Sequence, residues 1–234
     1  MRASRASVAA LLTVAAFTAG ATVAACAQDE SVRPGVNDPY KNANIDQWVG
    51  RLEAHDRAIF KYRHAIVATL GLAPGMEVAD VGAGTGFLTL LIAAEVGSEG
   101  HVFAEDITPE FLAHIEEVAK KEAVTNVTTV LGDAKSTRLA ADSIDLALVS
   151  DTYHHFEYPR PMLESLHEAL RSGGRLVVID FERVEGVSDS FALEHVRAGK
   201  GTVTDEIKNN GFDLVREVPL MEAEGQFYLE FRKR

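Results

Sequence analysis

The chain has 234 residues, 47% of them hydrophobic and 25% charged, which suits one globular domain with attachments rather than several domains. Its formal net charge of −12 argues against a nucleic-acid partner, because binding a phosphate backbone requires a basic face. A cationic cofactor or a small-molecule substrate suits this charge better, and nothing in the composition indicates an oligomeric state.

Residues 1–27 have the pattern of a secretory signal, since two arginines precede an uncharged apolar run. The only cysteine, Cys26, follows Val23-Ala24-Ala25, which resembles a bacterial lipobox and predicts membrane attachment through a lipidated Cys26. Ordinary cleavage after Ala27 and an uncleaved membrane anchor are the alternatives. We expect an exported protein of the cell envelope, or a cytoplasmic one if the signal is not used.

The next two segments are predicted to be a linker and a pair of helices. Residues 28–44 are polar and contain Pro34-Gly35 and Asp38-Pro39, which is typical of a linker. From Ile45 to Leu70 apolar residues recur at helical spacing and predict one or two amphipathic helices that end at Gly71. We expect Trp48 and Tyr62 to pack these helices onto the body.

A glycine-rich stretch follows, and the rest of the chain is arranged around it. Residues 78–90 read V-A-D-V-G-A-G-T-G-F-L-T-L, which predicts a strand, a tight turn and a helix. A dinucleotide fingerprint, G-x-G-x-x-G, would need its third glycine where Phe87 stands. Asp80 would repel a pyrophosphate but attract a ligand with an ammonium and a sulfonium group, such as S-adenosylmethionine. A nicotinamide-dependent oxidoreductase is therefore disfavoured.

The segment D-V-G-A-G-T-G at residues 80–86 resembles motif I of the class I S-adenosylmethionine-dependent methyltransferases. The resemblance implies a cofactor site made by Asp80, Gly82, Ala83, Gly84, Thr85 and Gly86. It also implies that Asp106, with Ile107 beside it, binds the ribose hydroxyls and that Asp133 and Ala134 contact adenine. Asp151 is then expected next to the methionine end and the transferable methyl group. Glu105 is left free to point into solvent.

Strand-like and helix-like segments alternate beyond this turn. Strands are predicted at residues 101–105, 127–131, 144–149 and 175–180, with helices at 108–122 and 159–170. A helix capped by Thr202 or Thr204 precedes two strands at 213–219 and 226–233, which must be antiparallel because they are so close. This order predicts an α/β fold, a Rossmann-like, mostly parallel sheet of seven strands with helices on both faces. The methyltransferase domain would span 45–234, with N-terminal helices at 45–71, a cofactor-binding core at 76–181 and a substrate-side segment at 182–234.

Two adjacent histidines follow the fourth strand. Methyl transfer is an in-line displacement that needs a base only when the acceptor must lose a proton. His154 is the first candidate for that base, His155 the second and Tyr153 a weaker third. The alternative is that one of the histidines only packs or caps the loop. No metal is expected unless Asp151 and Asp180 hold magnesium, as acids after the same strands do in catechol-type O-methyltransferases; Phe181 stands where that family has a carboxamide.

The sequence thus predicts a methyltransferase that acts on a small molecule by O- or N-methylation, with S-adenosylmethionine as cofactor. The alternatives are a methyltransferase-like envelope protein that binds without turnover and a metal-assisted O-methyltransferase. A single cysteine offers no thiol pair for an arsenic-type reaction. Residues 183–201 and the N-terminal helices are expected to line the acceptor pocket, with Glu194, His195 and Arg197 contributing polar groups.

Overall fold

The computed structural model describes residues 30–234. The predictions for the signal segment, including lipidation of Cys26, lie outside the described residues. Within the described part of the chain, no helix combines the length and the apolar character needed to cross a membrane.

The fold is a single sheet with helices on both faces. Its strands are β1 Glu77–Val81, β2 His101–Asp106, β3 Val127–Leu131, β4 Ile144–Ser150, β5 Leu170–Phe181, β6 Phe212–Glu217 and β7 Gln226–Lys233. Its helices are α1 Ile45–Leu52, α2 Ala58–Thr69, α3 Phe87–Val96, α4 Pro109–Lys121, α5 Pro159–Ala169, α6 Ser190–His195 and α7 Lys200–Asn209. Three short 3-10 helices lie at Asp38–Tyr40, Tyr153–His155 and Glu222–Glu224.

The strand order confirms the predicted fold class. The sheet runs β3-β2-β1-β4-β5-β7-β6. β1 to β5 pair in parallel, whereas β7 is antiparallel to both β5 and β6. The carboxyl ends of β1, β2, β4 and β5 therefore lie at one edge of the sheet, which is where such sheets bind ligands.

Alternate residues of the central strands fill two hydrophobic cores. Val81 of β1 and Val149 of β4 face a cluster with residues of α5 and α7. Val78 and Leu148 of the same two strands face the opposite cluster, with residues of α2 and α3. A strand buried on both faces reads as a continuous apolar run, which explains the sequence pattern. These two cores hold the carboxyl ends of the strands in fixed positions.

The predicted bounds of two elements need correction. β5 begins at Leu170 rather than Arg175, because the Ser172-Gly173-Gly174 turn forms a bulge inside it: Ile144 pairs with Leu170, and Leu146 then pairs with Arg175. Helix α7 begins at Lys200, and its N-cap is Gly199. Thr204 does not cap this helix, because its hydroxyl donates to the Lys200 carbonyl oxygen inside it.

The polar composition of residues 28–44 predicted a linker, but residues 30–44 pack against the rest of the domain. Side chains of this segment form hydrogen bonds with other parts of the chain. Arg33 donates to the Glu194 carbonyl oxygen at 2.9 Å, and the Asn37 amide donates to the carbonyl oxygen of His155 at 3.2 Å. Val36 is buried. The segment therefore covers the loop that follows β4.

Candidate active site

A deep cavity lies at the carboxyl ends of β1, β2 and β4. It encloses about 940 Å³, counting the open space at its mouth, which is in the range of small-molecule sites. Most of the predicted cofactor residues line it: Asp80, Gly82, Ala83, Gly84, Asp106, Ile107, Asp133, Ala134 and Asp151. Aromatic side chains from three helices also line it: Tyr40, Phe87 and Phe111. We refer to it as the first cavity.

The glycine turn adopts the backbone conformation that its sequence predicts. Gly82, Gly84 and Gly86 have φ values of 70°, 56° and 79°, a region that other residues rarely enter. A Cβ on Gly82 would lie 2.3 Å from Cγ2 of Thr152, and one on Gly86 would lie 2.6 Å from Cγ1 of Ile115. Gly86 is the N-cap of α3. The glycines therefore also allow close packing of the protein itself.

Two predicted cofactor residues do not line the first cavity. Thr85 is buried, and its hydroxyl has no partner among the described residues. Gly86 lies against Ile115 of α4. Both residues shape the turn, whereas Gly82, Ala83 and Gly84 present it to the cavity.

Asp106 links the end of β2 to the glycine turn. Its Oδ2 accepts a hydrogen bond from the Gly84 amide at 2.9 Å, and its Oδ1 accepts one from the Thr108 amide at 2.8 Å. Thr108 occupies the N-cap position of α4 but makes no capping bond with its own side chain. Burial raises the pKa of Asp106 above its usual value. The same carboxylate thus lines the cavity and fixes the backbone of the turn.

Asp80 and Glu105 place two more carboxyl groups in the wall of the first cavity. Asp80 accepts a hydrogen bond from the Thr89 hydroxyl at 2.7 Å, and burial raises the pKa of Asp80 to about 6. Glu105 does not point into solvent, because only 2% of it is exposed. Burial raises its pKa well above the usual value, and its Oε1 has no partner among the described residues. In the sequence, the feature that could have identified Glu105 as a wall residue is its position beside Asp106 at the end of a buried strand.

These three carboxyl groups have no counter-charge in the described part of the chain. Neither Asp80, Glu105 nor Asp106 forms an ion pair there. A buried carboxylate without a cation is costly, which is why burial is the largest cause of each raised pKa. The wall is therefore suited to a cationic ligand, whose charge would favour the ionised form of these groups.

Asp133 lies at the rim of the first cavity. Its side chain is 43% exposed and pairs with the Arg138 guanidinium at 3.0 Å. The Lys135 backbone amide donates to Oδ1 of Asp133 at 2.8 Å. This hydrogen bond is the main reason that the pKa of Asp133 is lowered. Asp133 and Ala134 are both positioned beside the cavity.

Asp151 stands between the first cavity and a second one. Its backbone has the positive φ of 48°, which is unusual for a residue other than glycine. Its carboxylate is 4% exposed and pairs with Arg57 at 2.7 Å, and it accepts a hydrogen bond from the Gln226 amide. Burial raises the pKa of Asp151, and Arg57 opposes this shift. No sequence motif marks Arg57 as a residue of this site.

The second cavity adjoins the first and shares Tyr40, Leu52, Arg57, Asp151 and His155 with it. The rest of its wall combines aromatic and imidazole rings with polar and charged groups: Trp48, His154, Phe181, Phe191 and His195 with Arg51, Asp56, Glu224 and Gln226. The Trp48 ring stacks on that of Tyr40 with 4.7 Å between the centroids. Trp48 therefore lines this cavity in addition to packing the N-terminal helices, whereas Tyr62 packs against the core.

His154 is held by Asp180 at the end of β5. Its Nδ1 lies 2.7 Å from Oδ1 of Asp180, and its backbone amide donates to Oδ2 of the same residue at 3.0 Å. Both side chains are almost fully buried. The ring is therefore fixed in orientation, and Nε2 is the nitrogen that is left without this carboxylate.

His155 and His195 meet beside His154. Their Nε2 atoms are 3.4 Å apart, and the Tyr40 hydroxyl lies 3.2 Å from Nε2 of His155. Burial lowers the pKa of His155 to about 2, and burial also lowers the pKa of His195. Both imidazoles are therefore neutral at pH 7. His154 and His155 were candidate bases and His195 was expected in the acceptor pocket, but nothing in their spacing predicted that the three meet.

The structure corrects three predictions about polar residues near this site. Tyr153 is fully buried away from both cavities, and its hydroxyl donates to Glu206 at 2.9 Å. Arg197 pairs with the same carboxylate at 2.8 Å and lies over the Tyr153 ring. Glu194 is exposed and does not line either cavity. Tyr153 and Arg197 therefore pack the loop that follows β4 against Glu206 and do not line either cavity.

The geometry does not favour magnesium between Asp151 and Asp180. The carboxylate of Asp151 is already paired with Arg57, and that of Asp180 binds both the ring and the backbone of His154. The group of metal-ligating side chains that the described residues bring together consists of His154, His155 and His195. Imidazole groups do not suit a hard ion such as Mg²⁺.

Comparison with known proteins gives a consistent family. Residues 72–224 match the family model described as a methyltransferase domain. The chain is 29% identical over 164 residues to an arsenite methyltransferase of Halobacterium salinarum, covering 67% of this chain and 42% of that protein. It is 32% identical over 124 residues to a ubiquinone/menaquinone biosynthesis C-methyltransferase of a Marinomonas species, covering 53% of this chain and 49% of that protein.

The solved structures agree in fold. A SAM-dependent methyltransferase from Aquifex aeolicus superimposes with a TM-score of 0.71 at 22% identity, covering 82% of this chain and all of that one. At this identity the likeness concerns the fold alone. The chain spans less than half the length of the two curated relatives, 42% and 49%.

Proposed function

The chain belongs to the methyltransferase domain family, whose cofactor is S-adenosylmethionine, and we propose that it is a methyltransferase that acts on a small organic molecule. The first cavity would hold the cofactor, and the second cavity beside it would hold the methyl acceptor. The observation that carries this proposal is the set of three buried carboxyl groups, Asp80, Glu105 and Asp106, without a cationic partner among the described residues.

The residues of the first cavity fit this cofactor. Asp80 offers a carboxylate at the carboxyl end of β1, and Asp106 offers an acceptor at the end of β2 for the ribose hydroxyls. Glu105 adds the free acceptor Oε1, and the turn at Gly82 and Gly84 lets a ligand lie close to the main chain. When bound, the cofactor supplies a methyl group on a sulfonium, whose leaving group is a neutral thioether.

The second cavity supports an acceptor with an ionisable hydroxyl or amine. Its aromatic wall would bury an organic ring or chain, and His154 stands in that wall with its Nδ1 held by Asp180. We propose that Nε2 of His154 takes the proton that the acceptor loses, while Asp180 keeps the ring oriented. His155 is a poor base, because burial lowers its pKa to about 2 and leaves it little affinity for a proton. The reaction would be O- or N-methylation.

An arsenic acceptor fits this chain less well than an organic one, although one relative is an arsenite methyltransferase. The single cysteine of the sequence is Cys26, so residues 30–234 contain no thiol. Soft thiolates are the ligands that a soft centre prefers, whereas the second cavity offers imidazole, guanidinium and aromatic groups. We therefore propose an organic acceptor.

Transfer of a labelled methyl group tests this proposal. The purified protein would be incubated with labelled S-adenosylmethionine and a panel of phenols, catechols, alcohols and amines. We expect turnover of at least one acceptor, and the His154→Gln variant should be slower by about 10²–10⁴-fold because it lacks the base. His64→Gln, at an exposed histidine of α2, is the matched control and should keep the wild-type rate.

Two results would contradict this assignment. If no organic acceptor is methylated although the cofactor binds, the alternative of an envelope protein that binds without turnover replaces it. If His154→Gln turns over at the wild-type rate, the acceptor needs no proton removal by this residue and the base assignment is wrong.

A further inference from the structure

We propose that His154, His155 and His195 form a binding site for a divalent transition-metal ion of the zinc type in the wall of the second cavity. Each residue offers one ring nitrogen, and these nitrogens all lie within 4.8 Å of one another. The three histidines come from two parts of the chain, the loop after β4 and the end of α6. Their convergence is a product of the fold and not of local sequence.

The spacing of two of the nitrogens is that of a tetrahedral site. Zinc binds histidine nitrogen at about 2.0–2.1 Å, so two ligands at the tetrahedral angle lie about 3.3–3.4 Å apart. The Nε2 atoms of His155 and His195 are 3.4 Å apart. The nitrogen of His154 lies within 4.8 Å of the other two. Because Asp180 fixes the ring of His154, the rings of His155 and His195 would have to turn for all three nitrogens to reach one ion.

Asp180 gives His154 the support that metal-binding histidines usually have. A ligating histidine commonly binds a carboxylate through its other ring nitrogen, which fixes the ring and raises the basicity of the ligand. Nδ1 of His154 lies 2.7 Å from Oδ1 of Asp180, and both side chains are buried. Nε2 of His154 is therefore the nitrogen available for a metal.

Two groups beside the three histidines oppose the binding of a metal ion. The Tyr40 hydroxyl lies 3.2 Å from Nε2 of His155 and must give up that contact. Arg33 donates to the carbonyl oxygen of His195, and its positive charge opposes a cation. The alternative account of the cluster is a hydrogen bond between His155 and His195 without a metal. Three imidazoles select zinc, copper, nickel or iron over magnesium.

Three protein ligands leave an open position for a water or an acceptor, as in catalytic zinc sites. That position would face the second cavity, which all three histidines line. Only the consequence for catalysis rests on the proposed function. In the metal-free protein, Nε2 of His154 would act as the base. In the metal-bound protein, the ion would instead lower the pKa of a hydroxyl group bound to it.

Titration of the untagged, EDTA-treated full chain with Zn²⁺, followed by calorimetry, tests the site. We expect one ion per chain, and His195→Ala should weaken binding by at least about 100-fold, since even groups behind the ligands contribute about 10–100-fold. His195 is partly exposed, so this variant is expected to fold. His64→Ala, at an exposed histidine outside the cluster, should bind Zn²⁺ like the wild type.

Parallel titrations with S-adenosylmethionine separate this inference from the proposed function. His195 does not line the first cavity, so His195→Ala should keep its cofactor affinity. Asp106→Ala should lose cofactor affinity and keep Zn²⁺ binding. Absence of Zn²⁺ binding in the wild type, or equal Zn²⁺ affinity in wild type and His195→Ala, would overturn the metal site and leave the cofactor assignment standing.

Discussion

At the scale of single residues, we expect the protonation of Asp80 to be linked to cofactor binding. Burial raises the pKa of this carboxyl group from 3.8 to about 6 in the protein without ligand. A cationic ligand favours the ionised form, so binding below pH 6 must release a proton. His155 does not change charge in this range, because burial lowers its pKa to about 2. The charge on the wall of the first cavity therefore changes with pH through its carboxyl groups.

We predict that the affinity for S-adenosylmethionine rises from pH 5 to pH 7 and then levels off. Below about pH 6 the slope from Asp80 alone approaches tenfold per pH unit, since one proton is released. Asp80→Asn keeps the acceptor for the Thr89 hydroxyl but cannot ionise. It should bind more weakly at pH 7 and show a shallower slope in calorimetric titrations. A variant with the slope of the wild type would assign the titration to another acid.

The same shift has a consequence for the stability of the protein without ligand. The folded-state pKa of Asp80 lies above its usual value, so ionisation favours the unfolded chain. The contribution of this group to stability is fully present below about pH 4 and is lost as the pH rises through about 6. Cofactor binding would offset that loss by supplying a positive charge.

Sequence reasoning found Asp80 and Asp106 because both follow an apolar strand and stand at a fixed distance from a glycine turn. It did not find Glu105 as a wall residue, because strand alternation does not decide where the last side chains of a buried strand point. Arg57 and Tyr40 were also missed. They reach the site through tertiary packing, and nothing local in their sequence marks them.

At the scale of elements, the glycine turn joins β1 to α3 and must fit against α4. Gly86 and Gly225 both adopt a left-handed conformation, with φ and ψ of 79° and 11° and of 71° and 27°. A Cβ on Gly86 would lie 2.6 Å from Cγ1 of Ile115, whereas one on Gly225 would contact nothing within 4 Å. Alanine variants at these two positions therefore separate the cost of backbone strain from the cost of steric overlap.

We predict that Gly225→Ala lowers the free energy of unfolding by about 1–2 kcal/mol, the cost of the left-handed conformation. Gly86→Ala should lose this and about 1–3 kcal/mol more, because Ile115 must move. Urea unfolding of both variants measures the difference. Equal losses would mean that α4 adjusts freely and that the turn is not held by its neighbour.

The elements were predicted best where hydrophobic period and turn residues agreed. β3 and β7 begin and end at the predicted residues. The Ser172-Gly173-Gly174 stretch was expected to separate a helix from a strand, but backbone pairing on both sides absorbed it as a bulge in β5. The polar segment 30–44 packs on the body because its side chains bond to carbonyl groups there, which composition does not reveal.

At the scale of the whole molecule, the chain combines a net charge of −12 with a signal-like N-terminus. We propose export and lipidation at Cys26, which would attach the domain to a membrane. Labelling with a radioactive fatty acid in a bacterial host should mark the wild type and not Cys26→Ser. Equal labelling, or recovery of both proteins in the cytoplasm without label, would contradict lipidation.

We propose that the first cavity accepts a cationic adenosyl ligand and not a diphosphate. Calorimetric titration of the purified protein with S-adenosylmethionine and, separately, with NAD tests this proposal. We predict micromolar binding of S-adenosylmethionine, no binding of NAD, and an affinity about 10–100-fold lower in Asp106→Ala, which leaves buried donors unpaired. Binding of NAD, or an unchanged affinity for S-adenosylmethionine in Asp106→Ala, would contradict the claim.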